Sequence, residues 1–419
     1  MGELDASRAF HRPLAEVEDA LAELAQVGGF KVAGVDCGLK VTGALDLALV
    51  VSDRPCTAAG VFTTNRVKAA PVLYDQAALA RDAANVRAVV VNAGNANACT
   101  GAQGEANAAH TARLAAEALS VAPEGVLVLS TGVIGVPLNM AAVARGVDLA
   151  ARRLAPGGWG DAARAIMTTD TRPKASCRSV GYRVGGIAKG AGMIAPDMAT
   201  MLAVLVTDAA VAAPDLQRAL EAAVEVSFNR IVVDGDMSTN DTALLLASGA
   251  SGVRVEGEAL GAFQAALTEV CVELAQDIVR DAEGGTRFVT LRVSGALDVA
   301  AARQVANAIA TSPLVKTAIY GGDPNWGRVL AAAGRSGAPV EADRMALTLL
   351  SCSDDAETEA LQLVASGTPL AYDERHAAAL MSAPEIALHL DLGMGNAETT
   401  VWTCDLSHDY VTINGHYRT

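Results

Sequence analysis

At 419 residues the chain holds roughly two to four domains' worth of sequence. With 51% hydrophobic and 19% charged residues it can bury a large core and is too apolar to be disordered. Its net charge of −15 repels phosphate backbones and anionic lipid, and no uncharged apolar run is long enough to cross a bilayer, so nucleic acid and membrane are poor partners.

The first residues, Met1-Gly2-Glu3-Leu4-Asp5, are acidic where an export or transit peptide is basic, which predicts a cytoplasmic location. Residues 14–27 follow as an amphipathic helix. Leu14, Val17, Leu21 and Leu24 recur at spacings of three and four, and Gly28-Gly29 ends it. Short apolar stretches with Gly breaks over 30–51 read as strands and turns, and the β-branched runs 86–91 and 125–129 as buried strands. The Ala-rich segment 105–119 between them reads as a helix, and 154–160 as a surface turn. Further helices are predicted at 215–226, 269–281, 300–310 and 355–365, and strands at 201–206, 231–233, 287–293, 345–350 and 386–390. The pattern is that of a mixed α/β chain with helices on the faces of its sheets.

The seven cysteines (Cys37, Cys56, Cys99, Cys177, Cys271, Cys352 and Cys404) are odd in number and scattered, which argues for reduced, buried thiols. The six histidines do not pair at metal-ligand spacing, so no metal site is expected. Polar chemistry gathers instead in five runs: Ser130-Thr131-Gly132 after a strand; 166–174 (IMTTDTRPK); the glycine-rich 185–208 with its single cation Lys189; 234–242 (DGDMSTNDT); and 320–328 (YGGDPNWGR). Each alone reads more readily as a capped turn than as a site. Gly185, Gly186, Gly190 and Gly192 would let backbone approach a ligand, but the Gly-Lys-Ser/Thr order of a P-loop is absent.

Together, KGAGMIAPDMATML, STGVIG, MTTDTRPK, SFNRIVVDGDMSTNDT, YGGDPNWGR and DLSHDYVTING resemble the ornithine acetyltransferase (glutamate N-acetyltransferase) family of the cyclic arginine pathway, over about residues 29–419. The resemblance implies a layered αββα fold with two tightly associated halves formed by self-cleavage between Ala199 and Thr200. It divides the chain into an N-terminal helical extension (1–28), an α chain (29–199) and a β chain (200–419), assembled as an α2β2 heterotetramer. It makes Thr200 the nucleophile, its freed α-amine (pKa about 8) the base, and Thr131 with Gly132 the oxyanion hole. It implies substrate contacts from Thr168, Lys189, Thr200, Glu283, Asn414 and Thr419. The implied reaction is ping-pong acetyl transfer from N-acetylornithine to glutamate without a cofactor, with acetyl-CoA open as a second donor.

Lys189 suits a carboxylate, Glu283 an ammonium, and Asn414 and Thr419 neutral hydrogen bonds. Two departures stand out. Asp197 replaces the commoner Asn, and the run from Glu283 to Arg287 carries Gly and Arg where Ala and Lys are commoner. Two alternatives stay open: an N-terminal-nucleophile aminopeptidase of related αββα fold, and an uncleaved amino-acid-binding protein.

Overall fold

The computed structural model describes residues 10–195, 201–352 and 359–416, and within them the chain forms two compact units. The larger unit comprises Arg12–Asn229 and Asp236–Ile278. Its strands are β1 (Phe30–Val35), β2 (Leu47–Phe62), β3 (Val86–Asn95), β4 (Val126–Val133), β5 (Lys174–Ser179), β6 (Arg183–Lys189), β7 (Leu202–Thr207) and β8 (Thr242–Ala247). Its helices are α1 (Leu14–Leu24), α2 (Ala70–Arg81), α3 (Gly101–Leu119), α4 (Met140–Arg153), α5 (Trp159–Ala165), α6 (Ala213–Glu225) and α7 (Ala259–Arg280), the last running on into the second unit.

The 16-residue β2 serves two sheets. Its first part pairs with β1 and β3, and β3 with β4; its last part pairs with β8, followed by β7, β6 and β5. Side chains alternate between the faces of a strand, and the burial follows that period. Val50, Val89, Val91, Leu127 and Leu129 of the first sheet meet Ile187, Val204, Val206, Leu244 and Leu246 of the second in one apolar layer. Leu49, Val90 and Val128 point the other way, onto Ala112, Ala115 and Val143 of α3 and α4. Beyond the second sheet, α6 packs on β2 and β8. The order is helix, sheet, sheet, helix, the αββα arrangement that the family resemblance implies. Val17 and Leu24 of α1 also enter the inter-sheet layer.

The second unit (described residues 10–11, Arg230–Gly235, 279–352 and 359–416) has one mixed sheet with helices on one face. Its main strands are β9 (Phe288–Ala296), β10 (Ala346–Cys352), β11 (Glu359–Ala365), β12 (Glu385–Asp391) and β13 (Ala397–Cys404), in the order β11-β10-β12-β9-β13, with the two-residue strands Thr368–Pro369 and Ile231–Val232 at its edges. The helices are α8 (Val299–Ala310), α9 (Pro313–Tyr320), α10 (Trp326–Gly334), α11 (Glu374–Met381) and α12 (His408–Gly415). Leu291, Val305, Ile309, Leu347 and Leu388 lie in its core.

Two expectations need correction. The predicted helix 355–365 is a strand where it is described: Glu359–Ala365 pairs antiparallel with β10. Its Glu, Ala, Leu and Gln favour a helix, but an open sheet edge outweighs a propensity of at most a few tenths of a kcal/mol per residue (about 0.7 at most for ordinary residues). The turn expected at 154–160 ends in a buried Trp159 that starts α5. The strand Thr242–Ala247 follows directly on the polar run 234–242, which hides its start in the sequence.

Candidate active site

In the larger unit the end of β4 carries Thr131 and Gly132, both paired against the end of β3 through an irregular register. Gly132 has φ 131°, and a Cβ there would stand 2.3 Å from the Gly94 carbonyl carbon, so only glycine fits the bulge. Lys189, at the end of β6 and 2% exposed, donates from Nζ to Thr131 Oγ1 (3.2 Å) and Thr168 Oγ1 (2.7 Å). Three predicted residues from three separate segments therefore meet on one ammonium.

A carboxylate that the sequence reading did not single out orders them. Asp170 accepts from Lys174 Nζ (2.7 Å) and the Gly190 N–H (2.6 Å) through Oδ1, and from the Thr168 N–H (3.0 Å) through Oδ2. Burial opposes its charge, but Lys174, Lys189 and these hydrogen bonds prevail and hold the carboxyl well below the usual carboxylate range. Its spacing to Lys174 within TTDTRPK was the available signal. A third cation, Lys40, donates to the carbonyls of Leu45 (2.6 Å) and Ala165 (3.4 Å). Burial lowers its pKa, and the nearby Lys189 adds to that while Asp46 and Asp170 oppose it.

The polar run 234–242 supplies a brace. Asn240 Nδ2 donates to the carbonyls of Ala96 (2.7 Å) and Ser130 (2.8 Å), which fixes the ends of β3 and β4. Next to it, Asp241 Oδ1 accepts the Met201 N–H at 3.0 Å. Gly185 and Gly186 do not open space for a ligand. A Cβ there would strike the carbonyls of Ser176 and Val204, so these glycines let neighbouring strands close up. The run 320–328 is the turn between α9 and α10, with Asn325 capping α10.

In the second unit Glu283, 8% exposed, accepts from Asn414 Nδ2 of α12 at 2.7 Å. Gly284 has φ 67°, and a Cβ there would lie 2.4 Å from the Tyr410 nitrogen, so the atypical run beside Glu283 needs glycine for α12 to pack. Ser407 Oγ donates to the Gly284 carbonyl at 2.6 Å. Ala199, Thr200, Thr419 and the atypical Asp197 lie outside the described residues. Among the described residues no group of His, Cys, Asp or Glu could hold a metal ion, and no helix is long and apolar enough to cross a membrane.

These residues can be set beside known proteins. The chain is 49% identical over 401 residues (93% of this chain, 97% of the relative) to the arginine biosynthesis bifunctional protein ArgJ of Symbiobacterium thermophilum. It is 48% identical over 402 residues (94% and 100%) to the protein of that name from Geobacter sulfurreducens. Among solved structures, an ornithine acetyltransferase from Mycobacterium tuberculosis complexed with ornithine is 43% identical, with 41% of this chain and 94% of that chain covered and a TM-score of 0.40. The model of the ArgJ family matches residues 31–419, which include every described member of both site groups, and the chain belongs to that family.

Proposed function

We propose that this chain transfers an acetyl group from N-acetylornithine to glutamate in arginine biosynthesis, through an acetyl ester on Thr200. The observation that carries the reading is the buried Lys189 ammonium shared by Thr131 and Thr168 beside the Gly132 bulge, in a chain of this family. The Thr131 hydroxyl and the Gly132 N–H serve as oxyanion donors, each worth ~2.7–4 kcal/mol of transition-state stabilisation. Lys189 and Thr168 orient the substrate carboxylate, while Glu283 and Asn414, with Thr419, receive its amino groups. Neither an aminopeptidase nor a binding protein is favoured by the relatives.

Thr200 becomes the nucleophile when the chain cuts itself after Ala199, leaving an α chain of residues 29–199, with the helical extension 1–28 before it, and a β chain of residues 200–419. The cut frees an α-amine as base on the residue that carries the hydroxyl. The strand order supports the halves staying joined. From beyond the cut, β7 and β8 lie between β2 and β6, which precede it, so separation would tear two strands from the middle of a sheet. The assembly is an α2β2 heterotetramer in the cytoplasm. Acetyl-CoA is open as a second donor, which would make the enzyme bifunctional; the relatives are named bifunctional proteins.

Intact mass, followed by ornithine release with and without glutamate, tests this reading. We expect a fragment starting at Thr200, glutamate-dependent release and a fragment heavier by one acetyl group. A fragment starting elsewhere, or release indifferent to glutamate, overturns it. Thiol release from acetyl-CoA with glutamate decides the second donor.

A further inference from the structure

Lys40 takes no part in that reaction. It lies in the loop 36–46 between β1 and β2, and the loop is folded around one carboxylate. Asp46, fully buried, accepts the Cys37 N–H (2.8 Å) through Oδ1 and the N–H groups of Leu39 (2.6 Å) and Lys40 (3.0 Å) through Oδ2. The Asp46 backbone is tied on both sides. Its N–H donates to the Val35 carbonyl at 2.9 Å, and its carbonyl accepts the Ala93 N–H at 2.8 Å. A carboxylate held by three backbone donors fixes the point from which the Lys40 side chain starts.

From there the side chain runs to the site. Its Cγ lies 3.5 Å from where a Cβ would stand on Gly94, the β3 residue paired with Gly132. Gly94 has φ 99° and no side chain to block that path. At the far end Nζ donates to the carbonyls of Leu45 and Ala165, and Ala165 stands three residues before Thr168, whose hydroxyl Lys189 holds. The charged groups that act on the Lys40 ammonium are Asp46, Asp170 and Lys189. Both carboxylates are already engaged, Asp46 by the loop amides and Asp170 by Lys174, Gly190 and Thr168. The ammonium itself is bonded to two neutral carbonyls, and the Ala165 contact, at 3.4 Å, is long for a hydrogen bond. An ammonium has three donors and bonds most strongly to a carboxylate. Lys40 is half-buried rather than sealed in.

The two substrates differ in the group such a cation would take. N-acetylornithine has one carboxylate and a side-chain ammonium, whereas glutamate has two carboxylates. Lys189 and Thr168 take one carboxylate, which leaves the second carboxylate of glutamate without a partner. We propose that the Lys40 ammonium receives the second carboxylate of the glutamate acceptor and so determines acceptor specificity. This rests on the reading of the chain as a glutamate-accepting acetyltransferase. The carboxylate replaces the long Ala165 contact, and Leu45 keeps its own. The step makes no covalent bond and moves no proton.

A ping-pong reaction separates the two substrates, because kcat/KM for each reports one half-reaction. Lys40→Met keeps the stem and removes the charge. We expect kcat/KM for glutamate to fall roughly 10- to 100-fold, with ornithine release from N-acetylornithine in the first half-reaction little changed. Glutamine has the shape of glutamate without the second charge. Wild type should favour glutamate over glutamine, Lys40→Met should lose most of that preference, and Lys40→Arg should recover part of it. An equal fall in both half-reactions marks a structural role and overturns the proposal, as does an unchanged kcat/KM for glutamate. The comparison of acceptors on wild type needs no variant and covers the case in which Lys40→Met fails to fold. Wild type that takes glutamine as readily as glutamate overturns the proposal. Wild type that releases no ornithine from N-acetylornithine sinks the underlying reading and this proposal with it, and the first half-reaction alone tells that result apart from the others.

Discussion

The two groups of site residues are held by opposite means. In the larger unit Lys189 and Thr131 are buried, and Lys189 is flanked by the buried Asp170–Lys174 pair. In the second unit a buried Glu283 meets Asn414 on the exposed side of the short helix α12. The contrast separates two tasks. Donors that stabilise developing charge must be in place before the reaction, which needs a rigid, fully bonded setting. On the proposed roles, a carboxylate that receives and releases an amino group needs a partner that a substrate can replace, and the neutral Asn414 amide is one.

That contrast can be broken by substitution. Asp170→Asn should have the largest effect, because it breaks a buried ion pair with Lys174 and removes the carboxylate that also holds the Gly190 and Thr168 N–H groups. We expect a loss of roughly 3–5 kcal/mol in urea unfolding. Retention of wild-type stability would show that the buried network is not what holds this site. Acid titration sharpens the point. The Asp170 pKa is depressed in the folded state, so its stabilisation is complete above the unfolded value of about 3.9 and is lost as pH falls towards the folded one. The Asn variant should therefore lose less stability than wild type below about pH 4.

Gly132→Ala comes next. Its Cβ meets the Gly94 backbone, so the N–H must move, at a cost of ~2.7–4 kcal/mol in kcat/KM. Lys189→Met removes two hydrogen bonds from a charged donor. Each is worth about 1.5–3 kcal/mol, and the loss should appear in both substrate KM and kcat. Asn414→Ala should cost least, about 0.5–1.5 kcal/mol, confined to KM and with no change in melting temperature. If Asn414→Ala unfolds the protein as readily as Asp170→Asn, the distinction between a braced and an adaptable group fails.

Much of this was legible in the chain itself. The strands at 86–91 and 125–129 are runs of β-branched and aliphatic residues, and the helices at 215–226 and 300–310 carry a clear apolar stripe; the structure places β3, β4, α6 and α8 there. Such elements are set by local periodicity. Their terminal residues, and the helix read at 355–365, depend on a partner strand far away in sequence. The resemblance also singled out Thr131, Thr168 and Lys189, because motif residues are local. Composition and spacing could not tell that these three converge on one ammonium, that Asp170 lies beneath them, or that Gly185 and Gly186 serve strand packing. Those facts depend on the register of β3 against β4 and of β5, β6 and β7 against one another. The sequence by itself determined the residue types, the α/β pattern and the family. Only the tertiary structure decided which side chains lost water together: Lys174 and Lys189 hold the buried Asp170 as an anion against its burial, while burial pushes the Asp241 carboxyl up.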